Sequence, residues 1–398
     1  MSTRESLAYM KSRGDRDALE RDILHRMSEH LEAYCDELRE LVAIDTPSDD
    51  PAAVGVLLDI VGPRLAALGA EIRRPGVDML SAAFGATGEP GILLLLHADT
   101  VFSHGEAGRR PFAMAGGRAY GPGVADMKGG IALALWTLRL LHAAEALPTP
   151  LRLLITGDEE TGAERSRDVI AQAAVGQLAA LVLEPGRESG AIVSARKAVG
   201  SFALTAEGIE AHAGVEPWRG ASAVHELARR TAAIADLSGR IADVHYNVGR
   251  IEGGTRPNVV AGSARCLIDV RVPRQADMAP AEEMLKGAAL SATDPRVELR
   301  LSGGFQGPPM ERTASTEMLL RHARAAAREI DLPLDDVATG GGSDGNRVAA
   351  AGVPVLDGLG PIGGRAHSVE EFIDLGSVAP RAALLSGLMR RILSGPRE

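Results

Sequence analysis

The run Gly91-Ile92-Leu93-Leu94-Leu95-Leu96-His97-Ala98-Asp99-Thr100 decides the reading of this chain. A glycine opens it, branched aliphatic residues follow without interruption, and the polarity then flips at His97. A short run that is apolar at every position is the pattern of a strand buried on both faces of a parallel sheet. The strand period of two puts His97 and Asp99 on the same side where the strand emerges. Three further runs look alike, Leu151 to Thr156, Ala179 to Leu183 and Val353 to Leu356, with helical patterns between them at about Met127 to Ala146 and Arg165 to Ala174. Upstream, Ile23, Met27, Leu31, Tyr34, Leu38, Leu41 and Val42 recur at helical spacing. They predict a long amphipathic helix from about Asp17 to Asp45-Thr46-Pro47, followed by a second at about Ala52 to Leu68. The expectation is an α/β domain with a mostly parallel sheet and helices on both faces.

Between about Ser194 and Gly307 the pattern changes. Ser201 to Ala206, Val244 to Ile251 and Ala264 to Val272 alternate, as strands with one wet face do, and helices are expected at about Ser222 to Ala235 and Pro280 to Leu290. The buried-strand pattern returns after Pro309. We therefore expect an α+β domain, 194–307, inserted into an α/β domain made of 1–193 and 308–398, with 1–18 mobile.

Composition narrows the function classes. At roughly 150 residues per domain, 398 residues exclude a single small binding module. Six Phe, four Tyr and two Trp are too few for stacking platforms along single-stranded nucleic acid, and a net charge of −10 opposes both a nucleic-acid backbone and an anionic membrane. Cys35 and Cys266 imply no disulfide framework. Met1 to Arg26 carries charges throughout and has no apolar core of a secretory signal, and no later stretch reaches the roughly 18 apolar residues of a spanning helix, so a cytoplasmic location is expected.

Polar residues gather where the buried runs end. His97-Ala98-Asp99-Thr100 follows the first, and Gly121-Pro122-Gly123-Val124-Ala125-Asp126-Met127-Lys128-Gly129-Gly130 is a glycine-rich turn with an acid at the head of a helix. Thr156-Gly157-Asp158-Glu159-Glu160-Thr161-Gly162 puts three acids in a row after the second run, Glu184-Pro185 follows the third, and His367 lies in a glycine-rich loop beyond the last. Taken singly, each has a plain reading: a satisfied histidine, a helix N-cap, a solvated loop, a strand end, a surface histidine. Together they fit the rule that open α/β sheets bind ligands at the carboxyl ends of their strands. Two histidines with several carboxylates and no thiolate suit zinc or a similar divalent ion. If Asp126, Glu160 and Glu184 are ligands and Glu159 is not, four negative charges balance two divalent cations.

These residues resemble the zinc-dependent M20 peptidases, and within them the glutamate carboxypeptidase branch, from about residue 30 to the C-terminus. The resemblance implies a site with two Zn2+ per subunit, open also to Co2+ or Mn2+, in which His97 and Glu184 hold one ion, Glu160 and His367 the other, and Asp126 bridges them. It implies that Glu159 is the general base and that Asp99 orients the imidazole of His97. The inserted region resembles the family's lid and dimerisation domain, so a homodimer is implied. There, His212 in Ala211-His212-Ala213-Gly214 matches the histidine that stabilises the oxyanion in the partner's site. Asn258 and Arg271 match positions that bind the substrate carboxylate, while Gly341 and Gly342 in Gly340-Gly341-Gly342-Ser343-Asp344 read as backbone N–H groups near it. The segment Gly186-Arg187-Glu188-Ser189-Gly190 departs from the pattern, lacking a lysine that helps to bind glutamate.

The implied function is a di-zinc amidohydrolase that cleaves an amide next to a free carboxylate in a small peptide or N-acyl amino acid. An N-acyl-amino-acid or succinyl-diaminopimelate-type deacylase is the alternative within the class. A non-catalytic metal- or peptide-binding protein on the same fold is the alternative outside it, and Glu159 discriminates, since such a protein has no use for an unliganded acid beside a metal ligand. No Gly-x-Gly-x-x-Gly follows the first buried strand, which excludes a dinucleotide-binding reading.

Overall fold

A computed structural model describes residues 19–86 and 88–394, so the N-terminal segment 1–18 expected to be mobile lies outside the described residues. The chain divides into two compact units, one running to Ser194 and taking in Arg312–Ala338 and everything from Ser343, the other Ala195–Glu311 with Thr339–Gly342.

The first unit is built on a six-stranded sheet of β1 (Glu71–Gly76), β2 (Met79–Phe84), β3 (Ile92–His97), β4 (Leu151–Thr156), β5 (Ala179–Val182) and β6 (Val355–Leu356), in the order β1-β2-β4-β3-β5-β6. β3 runs parallel to both β4 and β5, and β6 runs parallel to β5, whereas β1 and β2 close the other edge antiparallel. Every residue of β3 is buried, as the uninterrupted aliphatic run requires. The register aligns Ile92 with Leu151 and His97 with Thr156, so β3 and β4 end side by side and their following turns open at the same edge. Helices pack against both faces, among them Pro51–Ala66, Gly129–Ala143 and Val378–Ser394. Asp50 caps the first of these by accepting from the N–H groups of Ala52 and Ala53 at 3.0 and 3.1 Å.

Glycine permits one approach that matters for the site. A Cβ at Gly130 would sit 2.3 Å from the Leu183 carbonyl oxygen, so only glycine lets the N-terminus of helix Gly129–Ala143 touch the strand end from which Glu184 emerges.

The second unit holds a four-stranded antiparallel sheet in the order His245–Gly253, Ser263–Val272, Ala198–Glu207, Glu298–Phe305. Burial alternates along Ser263–Val272, and the inner residues, Cys266, Ile268 and Val270 among them, form a separate core with helices Ala223–Ala235 and Gln275–Leu290.

Four elements differ from expectation. The helix predicted as continuous from Asp17 is interrupted by a turn at His30, giving helices 19–29 and Leu31–Val42. The edge strands β1 and β2 and the strand Glu298–Phe305 had no distinct sequence signal; β1 is largely exposed and reads Arg73-Arg74-Pro75-Gly76, and Gly303-Gly304 breaks the alternation of Glu298–Phe305. Among the described residues no helix is long and apolar enough to cross a membrane.

Candidate metal centre

The strand ends of the first unit bring His97, Asp126, Glu159, Glu160, Glu184 and His367 together. His97, the last residue of β3, is buried. Its Nε2 lies 2.9 Å from Asp126 Oδ1 and 3.4 Å from Glu184 Oε1. The other oxygen of Asp126, Oδ2, lies 3.3 Å from His367 Nε2, and that nitrogen lies 3.0 Å from Glu160 Oε2. Asp126 thus stands between two imidazoles, each flanked by a glutamate. Ligand atoms of His97, Asp126 and Glu160 fall within 4.8 Å of one another, as do those of His97, Glu159 and Glu184.

The acidic run after β4 separates into three roles. Asp158 is buried, and its Oδ2 accepts from the N–H groups of Arg165 and Ser166 at 2.6 and 3.3 Å, so it fastens the turn rather than entering the site. Glu160 faces His367, whereas Glu159 lies with His97 and Glu184. Asp99 sits beneath this turn: its carboxylate accepts from the N–H of Glu159 and of Glu160, each at 3.2 Å, and from Ser48 Oγ at 2.7 Å. His97 Nδ1 is 3.4 Å from that carboxylate and 3.0 Å from the Asp99 backbone carbonyl, so two oxygens of one residue fix the ring.

Electrostatics show what the arrangement lacks. Burial pushes the carboxyls of Glu159 and Glu160 up, with neighbouring acids adding to the effect, and raises Glu184 to about 7, Asp126 contributing. Burial opposes charge on His97, yet Glu184, Asp126 and Asp99 hold its pKa well above the ordinary range. Hydrogen bonds to Asp126 and Glu160 take His367 to about 10. Asp126 itself, though buried, is held far below the usual carboxylate range by hydrogen bonds from His367 and His97. Among the described residues, the two imidazoles are therefore the cations facing four carboxylates in this cluster, and Glu160 Oε1 is buried with no hydrogen-bond partner. Imidazole nitrogen and carboxylate oxygen donors, an orphaned carboxylate oxygen and mutual repulsion among acids fit divalent zinc-type ions in this cluster.

The remaining candidates belong to the second unit. Ala211–His212 pairs with Val259–Val260, and Ala213 N donates to the Asn258 carbonyl at 3.0 Å, so His212 and Asn258 sit on neighbouring stretches, both exposed. Gly214 N–H donates to His212 Nδ1 at 3.1 Å. Arg271 holds both carboxylate oxygens of Asp269 at 2.8 Å and donates to Gly340 O at 3.1 Å. The carbonyls of Gly341 and Gly342 accept from Arg196 Nη1 at 3.2 and 3.1 Å, a partnership invisible in the sequence.

Other residues also contribute. Ser48 supports Asp99, and buried Asp344 accepts from Thr156 Oγ1 at 2.8 Å just behind the acidic turn. Glu371 accepts from backbone N–H groups of the turn that bears Asp126. Its place four residues after His367 is the one hint the sequence offers.

A mostly parallel sheet with this histidine–carboxylate cluster at its strand ends defines a metal-dependent hydrolase. Residues 93–391 match Peptidase family M20/M25/M40, and the chain belongs to that family of zinc-dependent metallopeptidases. It is 28% identical to carboxypeptidase G2 of Pseudomonas sp. (strain RS-16) over 90% of this chain and 89% of that protein. It is 27% identical to N-acetyl-L-citrulline deacetylase of Xanthomonas campestris pv. campestris over 88% of this chain and 95% of that protein. A tripeptidase structure from Staphylococcus aureus shares the fold with a TM-score of 0.80 at 20% identity, covering 92% of this chain and 99% of the other.

Proposed function

We propose that this chain is a homodimeric di-zinc amidohydrolase that cleaves an amide adjacent to a free carboxylate, releasing a C-terminal amino acid from a small peptide or N-acyl amino acid. The observation that carries the reading is the placement of Asp126 between His97 with Glu184 and His367 with Glu160, with Glu159 close by. His97 and Glu184 would hold one ion, His367 and Glu160 the other, and Asp126 both; Co2+ or Mn2+ would suit the same donors. Bound zinc supplies Lewis acidity, acidifying water and polarising a carbonyl.

The chain's own groups do the rest. Glu159 accepts a proton from the attacking water and returns it to the leaving amine; burial holds its carboxyl above the ordinary carboxylate value. Asp99 keeps the His97 ring in place and fastens the turn bearing Glu159 through its backbone. His212 donates to the developing oxyanion in the partner's site. Its Nδ1 accepts from Gly214 N–H, which puts the proton of a neutral ring on Nε2, free to donate. Asn258 and Arg271, with the Gly341-Gly342 backbone, bind the substrate carboxylate. Arg271 would do so while still tied to Asp269.

The similarity to an N-acetyl-L-citrulline deacetylase over most of the chain supports a second reading, a deacylase that removes a small acyl group from an amino acid. Ranking rates of the zinc-loaded enzyme on N-benzoyl amino acids, N-acetyl amino acids and dipeptides separates the two. Fastest turnover of dipeptides and bulky N-acyl substrates supports the first reading, and fastest turnover of N-acetyl substrates the second. No hydrolysis of any would contradict both.

A further inference from the structure

Glu371 is fully buried; it attracts the buried Lys128 ammonium electrostatically, and its carboxylate is wrapped by backbone N–H donors. Oε2 accepts from Gly123 N at 2.9 Å, and Oε1 accepts from Ala125 N at 2.9 Å and Asp126 N at 3.0 Å. The donors belong to one tight turn. Gly123 has a φ of +72°, and a Cβ there would lie 2.7 Å from Thr100 Cγ2, so the turn is fixed by glycine on one side and by Glu371 on the other. Without that carboxylate, three convergent N–H groups would lose their acceptor.

The same short segment carries His367. Gly363–Gly364 pairs with Phe372–Asp374, and Phe372–Asp374 pairs in turn with Arg118–Tyr120, the strand that leads directly into the Gly121-to-Lys128 turn. One hairpin therefore delivers a histidine to the cluster at its tip and a carboxylate to the backbone of Asp126 at its base.

We infer that Glu371 is the positioning residue for Asp126, aiming its two carboxylate oxygens at His97 and His367 by holding the N–H groups of Gly123, Ala125 and Asp126. The inference rests on the two-metal reading of the site, in which Asp126 serves both ions. Glutamine has nearly the same shape but one acceptor oxygen, and its NH2 group would face N–H donors. Aspartate keeps the charge but is one methylene too short to reach all three.

The test compares wild type, Glu371→Gln and Glu371→Asp in two measurements on the whole chain. Competition with a chelator gives zinc affinity, and hydrogen exchange on metal-free protein follows the 121–128 turn against helix Gly129–Ala143. Affinity for both ions should fall by about 10–100-fold in the Gln variant, the scale for losing an outer-shell partner of a metal ligand, and by less in the Asp variant. Exchange should quicken in the turn while the helix stays protected. Wild-type affinity for both ions in the Gln variant overturns the inference, as does a turn that exchanges no faster. If wild type itself takes up no zinc, the two-metal reading fails, and the exchange measurement still decides whether Glu371 holds the turn.

Discussion

His367 Nε2 lies 3.0 Å from Glu160 Oε2, which joins the loop beyond β6 to the turn beyond β4. The other oxygen of Glu160 is buried without a partner. A half-satisfied buried carboxylate beside an imidazole is costly alone and reasonable as one side of a cation site. Glu160→Gln should therefore reduce zinc content to about one equivalent per chain, measured by elemental analysis of protein purified without chelator. An unchanged content would remove Glu160 from the ligand set.

Glu159 is adjacent in sequence and different in function. It lies with His97 and Glu184 rather than with His367, and burial pushes its carboxyl above the ordinary value. Glu159→Gln should keep its zinc and lose kcat by at least about a hundredfold, the usual scale of general acid–base help. Near-normal turnover would sink the proposed proton transfer.

The proposal that His212 acts across a dimer has a complementation test. His212→Ala should lower kcat by roughly two to three orders of magnitude with zinc content unchanged, the scale of one oxyanion donor. Mixed with Glu159→Gln protein, it should regain activity, because one site of a heterodimer then has both an intact Glu159 and a partner's His212. Mixed dimers shown by tag pull-down to form, yet inactive, would mean that His212 works within its own chain or not at all.

Protonation of the metal-free site gives a pH prediction with a definite sign. The folded His367 pKa of about 10 exceeds its ordinary 6.5, so its stabilising contribution is present below about 6.5 and is lost as pH rises through about 10. Glu184, raised from 4.5 to about 7, also makes the folded state less stable as pH rises across that interval. Metal-free protein should melt at lower temperature as pH is raised from about 6 to about 9, and zinc, which displaces these protons, should bind more tightly over the same range. Calorimetric titrations in buffers of different ionisation enthalpy should show net proton release; uptake of zinc with no release would contradict the assignment of protonated ligands.

Much of the site was legible because buried strands announce where they end. The aliphatic run before His97 and the runs before the acidic turn and Glu184 place three clusters at strand ends, and the structure puts these residues within a few ångströms of one another. What was not legible acts over long sequence distances through backbone atoms. Ser48 reaches Asp99, Glu371 reaches the Gly123–Asp126 turn, and the Gly341 and Gly342 carbonyls are engaged by Arg196. Those contacts depend on tertiary register, which no local pattern around Ser48, Glu371 or Arg196 encodes. Asp158 shows the converse: its place in the acidic run gives it no role, and the position of the Arg165 and Ser166 N–H groups makes it a structural cap.

The central claim, amide hydrolysis at a site that needs two ions, is tested most directly by titrating zinc into metal-free protein while following hydrolysis of the best substrate found. Activity should be absent at the start, rise with added metal and level off at about two equivalents per chain. Activity without metal, or a plateau at one equivalent, would contradict the account.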